Sequence, residues 1–375
     1  MRRFLSASVR LGVTLVLGAT VAKATVAKAL PEPIPADLQA IKITATGSLT
    51  PQYALVHLFA EKGFKGYAMV DSAGRIAWHY RTKDYPFAAD RRKNGNFVFM
   101  DKGYGLVEVD RTGAIVHELK QRDPENEMHH ALIVTPRDTV LYLTFDTQDF
   151  AGKRLKGEAI WEWNPDTGED AKRWRSWDFM DPALDRSKRT AGEWLHGNSL
   201  YVGPGGNVLL SFHYIDQVIS IAPDWKSIQW RLGGVRATIA VPADQQTSAQ
   251  HTAAELEKNR ILMFDNRTDL QPPYSRAVEY VIDPPSPEGS GGARGGRARQ
   301  VWQWKAPNNN YASAVSSARR LSNGNTLIAF GMEKGRNGSS GPTEAYEVTP
   351  NGDIKWHLVV EGVMTTFRVE PITAF

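Results

Sequence analysis

Apolar positions along this chain come in short runs, not in long helical stretches. GYAMV (66–70), NFVFM (96–100), GLVEV (105–109), TVLYLTF (139–145), NVLLSF (207–212), RILMF (260–264) and NTLIAF (325–330) are each rich in β-branched and aromatic residues. Each is bounded by Gly, Asn, Asp or Pro, the pattern of a strand between turns. Residues 50–63 are the best candidate for a single helix.

Two turn classes alternate. The first precedes an apolar strand, as in Asn94-Gly95-Asn96, Pro204-Gly205-Gly206-Asn207, Lys258-Asn259 and Asn323-Gly324-Asn325. The second closes a strand ending in valine or isoleucine and opens one holding a tryptophan or another bulky apolar residue. Examples are VDSAGRIAWHY (70–80), VDRTGAIVHEL (109–119) and VTPNGDIKWHL (348–358). Such turns suit the twist of tight hairpins. The second class occurs six times, at intervals of 39 to 66 residues. A period of this size with four short strands per period predicts an all-β fold, a six-bladed β-propeller spanning residues 66–375, with residues 30–65 as an N-terminal extension. A β-sandwich pair or a β-helix does not expect two alternating turn classes. The Gly/Pro/Arg-rich segment 284–299 reads as a disordered surface loop between two strands of one blade.

Composition narrows the chemistry. The 375 residues include no cysteine, which removes disulfides, thiolate metal sites and cysteine nucleophiles. The formal charge of +4 is concentrated at the start: residues 1–29 carry five basic residues and no acid, leaving the remainder near −1. Basicity therefore gives no support for nucleic-acid or membrane-surface partners. Residues 1–10 are basic, 11–22 are uncharged and apolar, and the small-x-small triplets Ala22-Lys23-Ala24 and Ala27-Lys28-Ala29 follow. That is the layout of a secretory signal peptide, cleaved after Ala24 or Ala29. An exported, periplasmic or extracellular protein is expected, with no stable membrane association after cleavage.

Of nine histidines, His79, His117 and His357 share a position after the second turn class and read as structural. His130, His196 and His251 share a different position, each opening a strand that runs into the first turn class, about one blade apart. In a propeller the first strand of each blade lines the central channel, so these imidazoles should converge at one mouth. The equivalent position in the next blade is Ser316 or Ser317. Such a cluster could bind a divalent metal with three nitrogens, or one imidazole could attack an electrophile while the others donate to an oxyanion. Carboxylates in register with the three histidines are lacking. Arg231, Arg276 and Arg319 lie nearby in sequence and suit a sulfate or phosphate.

WLHGNSLYVGPGGNVLLSFHYIDQVISI followed by WRLGG, then QHTA, RILMFDNR and YSRAVEYVID, resembles the arylsulfate sulfotransferase family of exported bacterial enzymes. MHHALIVTP and LSNGNTLIAFG match in order, so the resemblance covers about residues 65–360. It implies a six-bladed propeller in which a histidine is transiently sulfated, with no nucleotide donor, no metal and no organic cofactor. That histidine maps to His251, the paired-histidine motif to His129-His130, and the histidine before Asn-Ser to His196. The family also places an arginine in the strand LLSFHYIDQV, where Phe212 or His213 stands here. His213, Arg276 or Arg319 is expected to replace it, with Arg276 the first choice. The substrates implied are an aryl sulfate and a phenol. Two other readings stay open: a non-catalytic propeller that binds a ligand or partner, and a histidine-ligated metal-dependent hydrolase or lyase.

Overall fold

The computed structural model describes residues 33–185, 192–285, 295–332 and 341–375. The leader, residues 1–29, lies outside the described residues. Among the described residues no helix is long and apolar enough to cross a membrane.

The architecture is all-β and propeller-like. Its strands form antiparallel meanders of four, each with a first, innermost strand and a fourth, outermost one. The first meander consists of Thr365–Ile372, Tyr53–Phe59, Lys65–Val70 and Ile76–Arg81. The second runs Pro86–Arg91, Phe97–Asp101, Gly105–Val109 and Ile115–Lys120. Met128–Val134, Val140–Phe150, Lys153–Trp163 and Asp170–Arg175 form the third. The fourth is Gly197–Val202, Val208–Phe212, Gln217–Ile221 and Ile228–Leu232. His251–Glu257, Arg260–Asp265, Arg276–Asp283 and Gly296–Trp304 make the fifth. The sixth is Ser317–Arg320, Thr326–Phe330, Thr343–Val348 and Ile354–Glu361. The two-residue strand Ile239–Ala240 bridges the fourth and fifth into one nine-stranded sheet.

The innermost strands lie side by side in the order second, third, fourth, fifth, sixth, first and back to second. Hydrophobic clusters fill the gaps between neighbouring meanders. Leu141, Leu143 and Ile160 of the third pack with Leu210, Phe212 and Ile219 of the fourth. Leu209 and Val218 of the fourth pack with Met263 and Val278 of the fifth. Central strands such as GLVEV are buried along their whole length, which explains their continuous apolar runs.

The two turn classes have distinct structural jobs. The second class joins the third and fourth strands of each meander. Its tryptophans clasp the next meander: the indole N–H of Trp78 donates to Arg111 O (3.1 Å), that of Trp304 to Gly352 O (3.1 Å) and that of Trp356 to Ser72 O (2.8 Å). The first class is tied to a buried carboxylate. Asn94 and Asn96 both donate to Glu108 Oε1, at 2.8 and 2.7 Å, and Asn325 donates to Glu347 Oε1 at 2.5 Å. Buried charge is tolerated there because the carboxylate is hydrogen-bonded.

Two expectations are corrected. Residues 50–63 hold the strand Tyr53–Phe59, hydrogen-bonded to Lys65–Val70 on one side and to the C-terminal strand on the other. Its interior is buried on both faces, so its apolar run has no two-residue period and imitates a helix. The described part of the expected extension, residues 33–65, is also no appendage. Lys42–Gly47 pairs with Ile354–Glu361 as a fifth strand on the sixth meander, and Tyr53–Phe59 is the second strand of the first. The expected loop 284–299 is shorter than its composition suggests: residues 296–299 already belong to the strand Gly296–Trp304, paired with Arg276–Asp283, and 286–294 lies outside the described residues.

Candidate active site

Four consecutive meanders bring an unusual backbone to the inner circuit. His130 (φ 55°), His196 (φ 57°), Thr252 (φ 53°) and Ser316 (φ 86°) all lie in the left-handed region. For residues with a Cβ this costs of order 1–3 kcal/mol each, and such strain gathers at functional sites. Of these four, His130 and His196 meet ring to ring, while Thr252 Oγ1 accepts from Ala318 N and Ser316 Oγ from Gly331 N.

The histidines converge as a chain of rings. His130 and His196 are 4.5 Å apart between centroids, His196 and His213 are 5.5 Å apart, and so are His213 and His251. His129 joins through its own Nδ1, 2.9 Å from His130 Nδ1. Tyr214 stacks on His196 at 4.6 Å, and Phe87 lies 4.8 Å from His130. His251 is buried, whereas His130, His196 and His213 are partly exposed.

His251 is held in one tautomer. Its Nδ1 lies 2.7 Å from Asn266 Oδ1 and 3.0 Å from Ala249 O, both acceptors. The Asn266 amide cannot turn over, because its Nδ2 donates to Ala312 O at 2.8 Å and Val315 O at 3.3 Å. The proton therefore sits on Nδ1, and the Nε2 lone pair is available. Burial pushes the His251 pKa down to about 3; the Asn266 bond opposes this and the Arg368 charge adds to it. The ring is neutral at physiological pH. Gln250 anchors the motif by donating to Ser211 Oγ, Phe212 O and Gln217 O at 3.1 to 3.2 Å.

The other rings have different partners. His196 Nδ1 is 2.6 Å from Glu193 Oε2. Burial alone would raise Glu193, but the hydrogen bond and charge of His196 hold it below the usual carboxylate range. His130 lies well below its ordinary pKa, through burial first and then through the charges of His196, His129, His251 and Arg368. Among the described residues no group of three or more His, Asp or Glu is placed to hold a metal ion.

The arginine expectations change. Arg276 does not face this cluster with a free donor. Its Nε bonds Asp265 (2.9 Å), Nη1 bonds Gln300 and Gln303, and Nη2 reaches Gln245 O and Gln246 O. It braces Asp265, whose Oδ1 in turn accepts from Ser248 N, and so supports the loop before His251. Arg319 forms a two-pronged pair with Glu370 at 2.6 and 2.8 Å and lines a cavity of about 280 Å³ with Asp90 and Arg91. Phe212 is a fully buried core residue. His213, one residue on, occupies the ring between His196 and His251.

The arginine whose charge acts on both His130 and His251 is Arg368. It lies in the C-terminal strand Thr365–Ile372 and is buried. Its Nη2 donates to Asn198 O at 2.6 Å, and its Nε has no protein partner. Burial and the neighbouring Arg319 charge lower its pKa to about 10, so it remains charged at neutral pH. Sequence reasoning missed it because the innermost strand of the first meander comes from the far end of the chain. Its one local signal is an unpaired charge inside the apolar run FRV. Asn266 and Glu193 were missed too; both lie within a few residues of quoted motifs, in FDNR and GEWLH.

The chain is similar to known proteins in structure and in sequence. A protein of unknown function from Bacteroides caccae has a similar structure: TM-score 0.57 at 16 % identity, covering 86 % of this chain and 100 % of that one. A periplasmic gluconolactonase from Pseudomonas aeruginosa (TM-score 0.45, 13 % identity, 82 % and 80 % covered) and a catalytically inactive virginiamycin B lyase from Staphylococcus aureus with quinupristin (0.44, 10 %, 85 % and 99 %) are more distant. None of the curated proteins matches. In sequence, the arylsulfotransferase (ASST) description matches residues 39–367, a span that holds every inner-circuit histidine. The chain belongs to the arylsulfotransferase family.

Proposed function

We propose that this protein is an exported six-bladed propeller that moves a sulfuryl group from an aryl sulfate to a phenol through a sulfated His251. The observation that carries the reading is the fixed tautomer of His251: a buried, neutral imidazole whose Nδ1–H is held by Asn266 and Ala249, leaving Nε2 as the nucleophile.

The chemistry balances without an added reactant. The Nε2 lone pair attacks sulfur, and the S–O(aryl) bond breaks with its electron pair on the departing phenolate. His196, held at Nδ1 by Glu193, gives that oxygen a proton. In the return step the acceptor oxygen attacks sulfur, the N–S bond breaks, and its pair returns to Nε2. The acceptor's proton passes to a neighbouring ring, and the 4.5 Å approach of His130 to His196 allows it to return to His196. The sulfuryl oxygens gather negative charge as sulfur is attacked. A buried guanidinium with an unpaired Nε, Arg368, answers that charge better than in water. His213 occupies the position of the family's arginine and can donate beside it.

The test is direct. Incubation with a chromogenic aryl sulfate should release phenolate in a burst, add one sulfuryl group to His251 by mass spectrometry, and turn over on addition of a phenol. A protein that binds aryl sulfates but acquires no adduct would be a binding propeller instead.

A further inference from the structure

Behind His130, away from His251, lies a polar chain that the transfer chemistry above does not use. His129 Nδ1 and His130 Nδ1 are 2.9 Å apart. On its other side, His129 Nε2 is 3.0 Å from Glu158 Oε2, a close ion contact that is not aligned as a hydrogen bond, and neither atom has a hydrogen-bond partner. Both residues are buried, at 2 % and 0 % exposure. The second oxygen of Glu158 accepts from Gly197 N at 2.6 Å, and a side chain at Gly197 would come within 3.1 Å of that carboxylate. Phe145 stacks on the His129 ring at 3.9 Å, and Lys156 Nζ lies 4.3 Å from the centroid of the Phe145 ring. One face of the His129 ring is therefore covered.

With His129 neutral and Glu158 ionised, one placement of protons fits these contacts. A carboxylate is acceptor-only, so His129 carries its proton on Nε2, toward Glu158. Neutral His129 then accepts at Nδ1, and the partner at 2.9 Å must donate, which puts the proton of His130 on Nδ1. The Nε2 of His130 is left as a lone pair among the rings of the site. The same logic, a carboxylate orienting an imidazole, sets the tautomer of a general base in hydrolases; here a second imidazole lengthens the chain by one member.

We propose that Glu158 and His129 are positioning residues that hold His130 as the base accepting the phenol's proton in the second half-reaction. The proposal rests on the transferase reading above. When the acceptor oxygen attacks the sulfuryl group, its O–H bond breaks toward His130 Nε2. The positive charge that results is shared through His130 Nδ1–H with His129, and through His129 Nε2–H with Glu158. The charged and titratable groups facing His130 from other elements are His196, His251 and Arg368. All are cationic or neutral, so Glu158 supplies the compensating negative charge from behind.

The experiment separates the two half-reactions. With Glu158→Gln and His129→Asn, sulfation of His251 by an aryl sulfate should proceed near the wild-type rate. Transfer to an acceptor of high pKa, such as a methylphenol, should fall about 10²-fold, the share of one general base. Transfer to a nitrophenol, already ionised at the assay pH, should recover, because it brings no proton to remove. Loss of both half-reactions together, or equal losses with all phenols, would overturn the proposal. Should a variant fail to fold, ¹⁵N-histidine spectra of the wild-type protein decide the matter: Nε2–H on His129 and Nδ1–H on His130 support it, and the opposite tautomers refute it. A wild-type protein that never labels His251 would instead sink the transferase reading, a result distinct from each of these.

Discussion

His117 and His357 on the outer strands and His251 on the inner circuit differ in what their rings are offered. His117 Nδ1 sits 2.9 Å from Glu108, and His357 Nε2 sits 2.8 Å from Glu344 while stacking on Tyr346 at 4.4 Å. Glu108 also belongs to a closed ionic seam: Arg92 binds it at 2.8 Å and reaches Asp138 (3.0 Å) and Asp166 (2.7 Å) on the third meander. The hydrogen bond to Asp166 is the first cause of a raised Arg92 pKa. There each donor on the guanidinium's two terminal nitrogens meets an acid, and the result is a joint. On the inner circuit His251 is offered only neutral acceptors, and Arg368 Nη2 donates to a backbone carbonyl, that of Asn198, where Arg92 meets carboxylates. Arginine and histidine make a joint where carboxylates meet them, and around His251 they meet neutral oxygens instead.

The sharpest way to break this contrast is His251→Asn. It keeps a polar side chain but cannot carry sulfuryl, so turnover should fall by several orders of magnitude and the covalent adduct should vanish, as read by phenolate release and mass spectrometry. An active variant would place the nucleophile elsewhere. Next in size is Arg92→Ala. It strands the buried Glu108 and should cost about 3–5 kcal/mol of stability in urea unfolding, while the protein that remains folded keeps its kcat. A large kcat loss would show that joint and site are coupled. Arg368→Gln should lower kcat/KM for aryl sulfates about 10²–10³-fold with little change in folding midpoint; an unchanged rate would leave His213 as the group that serves the sulfuryl oxygens.

The smallest effect is an acid slope. His57 and His251 lie near pKa 3 when folded, through burial first, against about 6.5 unfolded. Between those values the unfolded chain binds more protons, so stability falls as pH drops, by about 1.4 kcal/mol per pH unit for each ring. Asp90, raised to about 6 by burial, works in the opposite direction: its contribution is present in acid and is lost as pH rises through 6. Thermal midpoints of the wild type and of His57→Gln should therefore diverge at neutral pH and converge in acid. Parallel curves would mean that His57 is solvated in the folded state.

Much of this was legible in the primary structure, for identifiable reasons. The second turn class repeats because it joins the outer strands of each meander and because its tryptophans clasp the neighbour. His130, His196 and His251 could be aligned because each opens an inner strand. Partners that come from elsewhere in the chain were hidden. Arg368 reaches the cluster only because the last strand pairs with Tyr53–Phe59, more than three hundred residues away in sequence. Glu158 lies within the third strand of its meander, where periodicity shows a buried position but not what the side chain meets. The strand at 53–59 was mistaken for a helix because burial on both faces erases the alternation that marks a strand.

The closing of the first meander by Thr365–Ile372 bears on how such a protein is made. Synthesis runs from the N-terminus, so Tyr53–Phe59 emerges long before its partner Thr365–Ile372 and must wait for it. Phe367 and Arg368 arrive with that same strand. A nascent or truncated chain ending before residue 365 would carry every inner-circuit histidine yet lack the cation beside them. Such a chain is expected to leave the first meander without its innermost strand and the inner circuit open.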